Sequence, residues 1–418
     1  MGRSEPEVEV PTGEPLKRRA ARTMTRVAAG HVGGVLQDMG DESDEEDPDV
    51  AAEPGQEAPA KKPAAYVLKA LDEVEFAAYR KLNADKDDPM HEFIPKFAGE
   101  AEVRLQRDDD ETEYPPGRYI RLSNVLLEFG QPFVMDVKMG VRSFLENECK
   151  SQKLRDDLYQ RMLEISPEEP TAEERAKKAI TKHRWMSFRD NLSSSVKLGF
   201  RIDGMAGPGH LKLRSDAFTT LREKEEIVQE LLGFLPPAPR RFRRMMRASL
   251  KDLGEDASRL APVTDDLNVL YTKIDVANEI VENLRRILRA FERSKFFKAH
   301  EFVGSSLLFV AADKPPMGKV FMIDFAKTYP LPDGVAINHR SAWELGNHED
   351  GILFGLENCI ICWEEVIALL SEEAGRGGVC KQTVQNEPSS QKDTQGRESD
   401  EAESNLNRCR WPLCNFFA

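Results

Sequence analysis

The chain has 418 residues, of which 40% are hydrophobic and 32% charged, and a net charge of −14. This surplus of acid argues against bulk nucleic-acid binding, which needs a basic surface. No stretch reaches the roughly 18 uncharged apolar residues of a membrane span, no apolar signal segment stands at the N-terminus, and the cysteines are too few for a disulfide scaffold. We therefore expect a soluble protein of the cytoplasm or the nucleus.

The two ends of the chain differ in composition from its middle. Residues 16–27 hold five basic residues and no acid, whereas residues 38–57 hold ten acidic residues and no base. Such blocks repel themselves and bury little apolar surface, so residues 1–64 are predicted to be mostly disordered. The polar tail 373–418 is predicted to be disordered for the same reason. Between them, residues 65–372 alternate strand-like and helix-like segments and form the predicted folded body.

The segment from Pro132 to Gly140 alternates apolar and other residues with a period of two, which predicts a strand with one face in the core. Asp136 and Lys138 share the opposite face. A carboxylate beside an ammonium group suits phosphoryl transfer: the carboxylate can accept a hydroxyl proton or hold a ribose, and the lysine can neutralise charge on the moving group. On these two residues alone, an ordinary surface ion pair is the simpler interpretation.

Residues 142–195 read as a helical segment of unusual charge. Residues 142–189 contain 11 basic and 9 acidic residues, in a chain that is acidic overall. Capping-box patterns at Ser166–Glu169 and Thr171–Glu174 predict two helix starts. In the second helix the spacing i, i+4, i+7 and i+11 predicts one stripe on one face, formed by Lys178, Lys182, Trp185 and Arg189.

The basic residues of this stripe could bind a small ligand that carries several phosphates. Arg155 and Tyr159 are predicted to stack in the same way one helix earlier. A basic helix that simply faces solvent is the alternative interpretation.

Residues 236–270 read as an insertion into the folded body. A proline-rich start is followed by six basic residues and no acid across 240–251. We interpret this segment as a solvated surface loop or short helix. A role at a membrane surface or with a partner is the alternative.

Residues 302–324 predict a pair of buried strands joined by a turn. The second strand ends at Asp324, directly after four apolar residues. An aspartate in this position resembles the metal-holding residue of kinase-type sites, and Ser306 could add a hydroxyl ligand. A turn or helix-cap aspartate is the alternative explanation for Asp324.

Taken together, these segments resemble the inositol polyphosphate kinase family, and within it the inositol 1,4,5-trisphosphate 3-kinases. The pattern P-x-x-x-D-x-K-x-G is met from Pro132 to Gly140, the S-S-L-L run from Ser305 to Leu308, and the I-D-F motif from Ile323 to Phe325. The resemblance spans roughly residues 117–370 apart from the 236–270 insertion.

The resemblance implies a two-lobed α+β fold similar to protein kinases, with an N-lobe at 65–131 and a C-lobe at 132–372 that carries a helical substrate-binding insert at 142–195. It also implies a role for each matched residue. The catalytic residues would be Asp136 and Lys138. ATP would contact Ser123, Asn124, Val125, Asp136 and Asp324. Mg²⁺ would be held by Asp324 and Ser306. The inositol phosphate would contact Lys138, Arg155, Lys182, Arg184, Trp185, Arg189 and Lys327.

The chain departs from the family pattern at two lysines. The ATP-facing lysine of the N-lobe falls on Leu36, with Lys69 as a candidate replacement. A lysine of the C-lobe falls on Ala206, with Lys212 the nearest downstream candidate. The ATP-binding N-lobe is therefore the part of the resemblance that the sequence leaves open.

The resemblance implies an ATP-dependent kinase that phosphorylates the 3-hydroxyl of inositol 1,4,5-trisphosphate, in inositol phosphate and calcium signalling. We expect a monomer, without nucleic acid or a transmembrane segment. The basic run 16–27 would suit a calmodulin-type helix, although it has few bulky anchor residues. Three alternatives stay open: a kinase that accepts several inositol phosphates, a catalytically impaired scaffold, and a phosphoinositide-binding surface protein.

Overall fold

The computed structural model describes residues 19–23, 35–41, 64–103, 117–130, 132–207, 212–213, 215–236 and 267–385. By its internal contacts the chain divides into a unit from Met1 to Gly375 and a second unit from Arg376 to Ala418. In the second unit only helical backbone, up to Gln385, is described.

An antiparallel sheet of five strands forms the N-terminal part of the first unit. Its spatial order is β1-β2-β3-β5-β4, with strands β1 (Arg19–Thr23), β2 (Val35–Asp41), β3 (Tyr66–Ala70), β4 (Phe97–Val103) and β5 (Gly117–Ser123). Helix α1 (Glu73–Ala84) follows β3 because Asp72 accepts hydrogen bonds from the backbone N–H groups of Val74 and Glu75 and so caps the helix. A short 3₁₀ helix (Pro89–Glu92) leads from α1 to β4.

Strands β1 and β2 lie inside the segment predicted to be mostly disordered, so the N-lobe sheet begins before residue 65. Residues 35–37 of β2 pair antiparallel with residues 67–69 of β3. Strands pair through hydrogen bonds between backbone groups, and a count of side-chain charges does not reveal this pairing. The greater part of the charge runs, including residues 42–57, lies outside the described residues.

A second antiparallel sheet forms the centre of the C-lobe, in the order β10-β9-β6-β12-β13. Its strands are β6 (Phe133–Met139), β9 (Phe200–Ala206), β10 (Lys212–Leu213), β12 (Ser306–Asp313) and β13 (Pro316–Ile323). The predicted strand at 132–140 and the hairpin at 302–324 are therefore both present. Strand β6 lies between β9 and β12, and its side chains are buried on both faces except that of Lys138, which is partly exposed.

Long helices cover this sheet. The helices after the insert are α7 (Lys224–Phe234), α8 (Leu267–Arg293), α9 (Lys295–Lys298) and α10 (Ile352–Gln385). Trp363 of α10 is fully buried and stacks on Phe309 of β12 at 5.8 Å between ring centroids. A two-stranded ribbon of β11 (His300–Phe302) and β14 (Thr328–Pro330) lies beside the hairpin in the sequence. A 3₁₀ helix (Ser215–Phe218) precedes α7.

The predicted insert consists of short elements. They are α2 (Glu146–Cys149), β7 (Leu154–Arg155), α3 (Asp156–Ile165), α4 (Ala172–Lys177), β8 (Ile180–Thr181), α5 (Lys182–Leu192) and α6 (Ser195–Leu198). Strands β7 and β8 pair antiparallel, which places Arg155 opposite Ile180.

Two predictions about the insert need correction. The capping box at Thr171 and Glu174 is present, but Ser166 ends α3 instead of starting a helix. The single stripe from Lys178 to Arg189 is also wrong. Lys178 has a left-handed backbone (φ 49°) that ends α4, and a new helix begins at Lys182. A left-handed residue cannot continue a right-handed helix, so Lys178 shares no helix face with the others.

Three segments singled out in the sequence lie wholly or partly outside the described residues. The basic run 240–251 and the calmodulin-type stretch, apart from its β1 residues, lie outside them. The first part of the tail predicted to be disordered, residues 373–385, is helical, because α10 extends to Gln385. Within the described residues, no helix combines the length and the apolar character needed to cross a membrane.

Candidate active site

Asp136 and Lys138 stand next to each other on one face of the central strand β6. Asp136 is 5% exposed, and its Oδ1 atom has no hydrogen-bond partner among the described residues. Burial raises the pKa of Asp136 to about 7; the charge of Lys138 opposes this rise and that of Asp324 adds to it. A buried carboxylate with an unsatisfied oxygen is ready to accept a hydrogen bond from a bound hydroxyl group.

Asp324 follows β13 directly and meets the lysine of β6. Its backbone is left-handed, with φ of 64°, a conformation that non-glycine residues adopt where local structure holds them. The Asp324 Oδ2 atom lies 3.8 Å from Lys138 Nζ. The predicted catalytic lysine and the predicted metal-holding aspartate are therefore brought together, although the sequence separates them by most of the C-lobe.

Lys69 of β3, the candidate replacement for the family lysine that falls on Leu36, reaches Asp324. Its Nζ atom lies 2.7 Å from Asp324 Oδ1 and 2.8 Å from Glu75 Oε1 of α1. Burial alone would lower the pKa of Lys69, but the charges of Asp324 and Glu75 outweigh it and raise this pKa above its usual range. A permanently charged lysine thus reaches the site from the N-terminal sheet.

Glu75 connects this lysine to the backbone after Asp324. It is 1% exposed, and its Oε1 atom accepts a hydrogen bond of 3.1 Å from the N–H of Phe325. Sequence reasoning did not identify Glu75. Its signal was weak: a glutamate in the first turn of a helix is commonly explained by the helix dipole alone.

The predicted adenine-contacting segment, Ser123 to Val125, connects the two sheets. The Ser123 N–H donates to the Lys96 carbonyl and the Ser123 Oγ accepts from the Lys96 N–H, both at 2.9 Å. Asn124 donates from Nδ2 to the Ala64 carbonyl and accepts from the Leu126 N–H. Both polar side chains therefore fix the path of the connection, so a nucleotide would meet its backbone.

Ser306 begins β12 directly beside the strand that carries Lys138. In the ladder Ser306 lies opposite Lys138 on one side and Ile323 on the other. It is fully buried, and its Oγ lies beside the Asp136 carboxyl, whose pKa it lowers, without a hydrogen bond of full geometric quality among the described residues. This hydroxyl and the carboxylate after Ile323 are hard oxygen donors, so the residues present fit a divalent cation such as Mg²⁺.

Two lysines from separate parts of the chain meet at Glu148 of α2. Lys182, the first residue of α5, places Nζ 2.6 Å from Glu148 Oε1. Lys327, three residues after Asp324, places Nζ 2.8 Å from Glu148 Oε2. The start of the insert helix is thereby tied to the segment that carries Asp324. Glu148 was not identified from the sequence, because its neighbours in space are 34 and 179 residues away.

Arg189 of α5 is a half-buried cation without a salt bridge among the described residues. Burial and the neighbouring guanidinium of Arg201 lower its pKa, against the opposing charge of Asp203. Among the described residues, Arg189 forms neither a side-chain hydrogen bond nor a salt bridge. A half-buried cation beside a second one, without a direct ion pair among the described residues, is the environment that an anionic ligand would stabilise.

Arg201 is fixed in place by the insert. Its Nη1 atom donates to Asp190 Oδ1 at 3.1 Å, and the other carboxylate oxygen of Asp190 accepts from the N–H and the Oγ of Ser143. Burial raises the pKa of Asp190, although Arg201 opposes the rise. This network holds α5 against the C-lobe sheet and so determines where Arg189 stands.

The other predicted substrate contacts have partners within the insert. Arg155 pairs with Asp157 through two hydrogen bonds of 2.6 and 2.7 Å and is largely exposed. Arg184 is held by Glu174 and Glu169. Trp185 packs on Phe188 beside the small core of the insert. The structure therefore does not bring Arg184 or Trp185 to Asp324 as it does Lys138, and their substrate-binding role stays a prediction.

A family model described as inositol polyphosphate kinase matches residues 119–364 of this chain. The chain belongs to the inositol polyphosphate kinase family. The matched residues include β6, the insert, the β12–β13 hairpin and Asp324, which are the elements that build the site. The predicted fold class, a two-lobed α+β kinase-like fold with a helical insert, is confirmed.

Curated relatives agree with this family. The chain is 36% identical to human inositol-trisphosphate 3-kinase A over 70% of this chain and 53% of that protein. It is 34% identical to human inositol-trisphosphate 3-kinase B over 69% of this chain and 25% of that protein. A Caenorhabditis elegans inositol-trisphosphate 3-kinase homolog is 35% identical over 68% of this chain and 48% of that protein. The chain therefore spans about half of the length of these relatives, or less.

Solved structures include an inositol phosphate multikinase of S. cerevisiae in complex with ADP and Mn²⁺. It is 14% identical to this chain, covers 72% of this chain and 99% of its own, and superposes with a TM-score of 0.42.

Proposed function

We propose that this protein transfers the γ-phosphoryl group of ATP to the 3-hydroxyl of inositol 1,4,5-trisphosphate and so forms inositol 1,3,4,5-tetrakisphosphate. The observation that carries the proposal is the gathering of cations around Asp324 in an acidic chain. Lys69 and Lys138 contact its carboxylate, and Lys327 with Lys182 follows on one side. The names of the curated relatives support the choice of the trisphosphate.

In this proposal Asp324 and the hydroxyl of Ser306 would hold Mg²⁺. The metal would supply positive charge that offsets the charge of the ATP phosphates. Lys69 binds the ATP phosphates from the N-lobe side, and the Glu75 carboxylate holds the Lys69 ammonium group in place. Lys138 stabilises the negative charge that develops on the transferred group. Asp136, with a pKa near 7 and a vacant oxygen, accepts a hydrogen bond from a hydroxyl of the nucleotide or of the acceptor.

The insert supplies the contacts to the inositol phosphate. Lys182 and Lys327 meet at Glu148, Arg189 lies farther along the same helix as Lys182, and each retains donors for phosphate oxygens. Lysine and arginine are the usual partners of phosphate groups in proteins. The scaffold alternative was motivated by Leu36, and the contact of Lys69 with Asp324 supports a kinase over that alternative.

The test is to incubate purified protein with MgATP and a panel of inositol phosphates that includes the 1,4,5-trisphosphate. Formation of the 1,3,4,5-tetrakisphosphate, identified by chromatography against isomer standards, is expected, and Lys138→Ala should abolish it while the circular dichroism spectrum is unchanged. Equal turnover of several isomers would instead support the broader-specificity kinase. A folded protein without turnover on any isomer would refute the proposal.

A further inference from the structure

Glu148 lies at the point where the insert meets the segment after Asp324. Its Oε1 atom accepts from Lys182 at 2.6 Å, and its Oε2 atom accepts from Lys327 at 2.8 Å. The same Oε2 accepts from the backbone N–H of Leu145 at 2.9 Å, the residue that precedes α2. Glu148 is thus anchored to its own helix start and cannot follow either lysine if that lysine moves away.

The carboxylate is ionised at every pH at which the protein would work. Burial would raise its pKa, but the hydrogen bonds from Lys182 and Lys327 outweigh burial and hold the pKa at about 2. Glu148 is therefore a permanent negative charge between two positive ones. Two ammonium groups gathered for one anion repel each other, and a fixed charge between them offsets that repulsion.

Both lysines keep hydrogen-bonding capacity for a ligand. An ammonium group has three N–H donors. Among the described residues, Lys182 directs one donor to Glu148, while Lys327 directs one to Glu148 and one to the Ser143 carbonyl at 3.1 Å. Each lysine is then held by one end of Glu148 with donors remaining, which is how a preorganised phosphate site is built.

We propose that Glu148 is a positioning residue that holds Lys182 and Lys327 for one phosphate group of the inositol phosphate. The inference rests on the proposed function and names a residue that the family resemblance did not assign. Glu148 does not contact the substrate; it acts through the two lysines. It also connects the insert to the segment after Asp324, so that binding of the inositol phosphate is linked to the position of Asp324.

The test is Glu148→Gln in the full chain. The amide is nearly the same size, but it carries no charge, and its NH₂ group cannot accept from an ammonium. We expect the KM for inositol 1,4,5-trisphosphate to rise roughly tenfold, because two like charges are left uncompensated and lose their common anchor. The KM for ATP and the melting temperature should stay close to those of the wild type. Glu168→Gln, at an exposed glutamate of the insert, is the matched control and should change neither constant.

A double-mutant comparison tests whether Glu148 acts through a lysine. Adding Glu148→Gln to Lys182→Ala should raise the KM for the inositol phosphate less than adding it to the wild type. Independent effects would overturn the assignment, since they would mean that Glu148 does not work through Lys182.

Three other results would overturn it as well. A lower KM in Glu148→Gln would mean that the carboxylate competes with the phosphate. An unchanged KM would mean that the lysines need no anchor. A parallel rise of both KM values with a lower melting temperature would show a purely structural residue.

The proposed function and this inference can fail separately. If wild-type protein phosphorylates no inositol phosphate, the function fails, and the anchoring of Lys182 is then judged by hydrogen exchange of the amides in 180–184. Glu148→Gln should speed their exchange severalfold, and Glu168→Gln should leave it unchanged. Equal exchange in Glu148→Gln and wild-type protein would overturn the inference whatever the activity.

Discussion

Lys69 and Asp324 are 255 residues apart in the sequence, yet the ammonium of one lies 2.7 Å from the carboxylate of the other. This contact joins the N-terminal sheet to the end of the C-lobe hairpin. It also brings three charged groups together, because Glu75 contacts the same ammonium at 2.8 Å.

Replacing Lys69 with Met should lower kcat/KM for ATP by roughly 100-fold or more, because the site loses a charge that no described neighbour can replace. Steady-state kinetics with varied ATP measures the effect. The exposed Lys86, just beyond α1, offers a matched control: Lys86→Met should behave as wild type. Full activity in Lys69→Met would mean that another lysine binds the phosphates.

Asp136→Asn should remove activity and at the same time stabilise the fold at neutral pH. The pKa of Asp136 rises from 3.8 to about 7 on folding, so between these values the folded state binds the extra proton and the wild type loses stability as the pH rises. The neutral amide avoids this loss. The stability of Asp136→Asn relative to the wild type should show no such gain near pH 4, and the gain should grow up to pH 7 and reach at most about 4 kcal/mol.

Urea unfolding of Asp136→Asn and wild type at pH 4, 6 and 8 measures this difference. The m-values of the two proteins should agree, which would show that the amide does not alter the surface exposed on unfolding. A stability gain that is the same at all three pH values would disprove the assigned pKa, since it would then come from packing.

Arg189 and Arg184 lie on the same helix, but their replacement by alanine should have different effects on the KM and on stability. Arg189→Ala should raise the KM for the inositol phosphate at least tenfold, because this half-buried guanidinium has no ion-pair partner among the described residues. Arg184→Ala loses two salt bridges, to Glu169 and Glu174, and should lower stability by about 1 kcal/mol or less with the KM nearly unchanged. Substrate titrations and thermal melts distinguish them. The reverse pattern would assign the ligand to Arg184.

Gly355 of α10 should tolerate no side chain. A Cβ atom there would lie 2.0 Å from the carbonyl oxygen of Gly199, whose own φ is 73°. Gly355→Ala must push α10 away from the segment between the insert and β9, at a cost of about 3 kcal/mol. Gly375→Ala, in the same helix but with open space around it, should be neutral or slightly stabilising. Denaturant unfolding compares the two variants, and equal stability would contradict the close approach.

The period of two across Phe133–Met139 was enough to predict the central strand, and the apolar runs on either side of a turn were enough to predict the hairpin. Both signals are local, because they depend on which side chains alternate along a few residues. The insert was harder. The spacing of Lys178, Lys182, Trp185 and Arg189 suggested one helix face, and only the left-handed backbone of Lys178 shows that the helix stops.

Motif residues and their order along the chain were sufficient for the family and the fold class, and they selected Asp136, Lys138, Ser306 and Asp324 as candidates, whose roles stay predictions. The amino-acid sequence could not show that Lys69 meets Asp324, or that Glu148 joins Lys182 to Lys327. Those facts depend on contacts between residues that are distant along the chain, and a charge acquires a partner only when folding brings that partner within a few ångströms. For the same reason, the raised pKa of Asp136 belongs to the folded protein, since only burial in the assembled sheet removes its water.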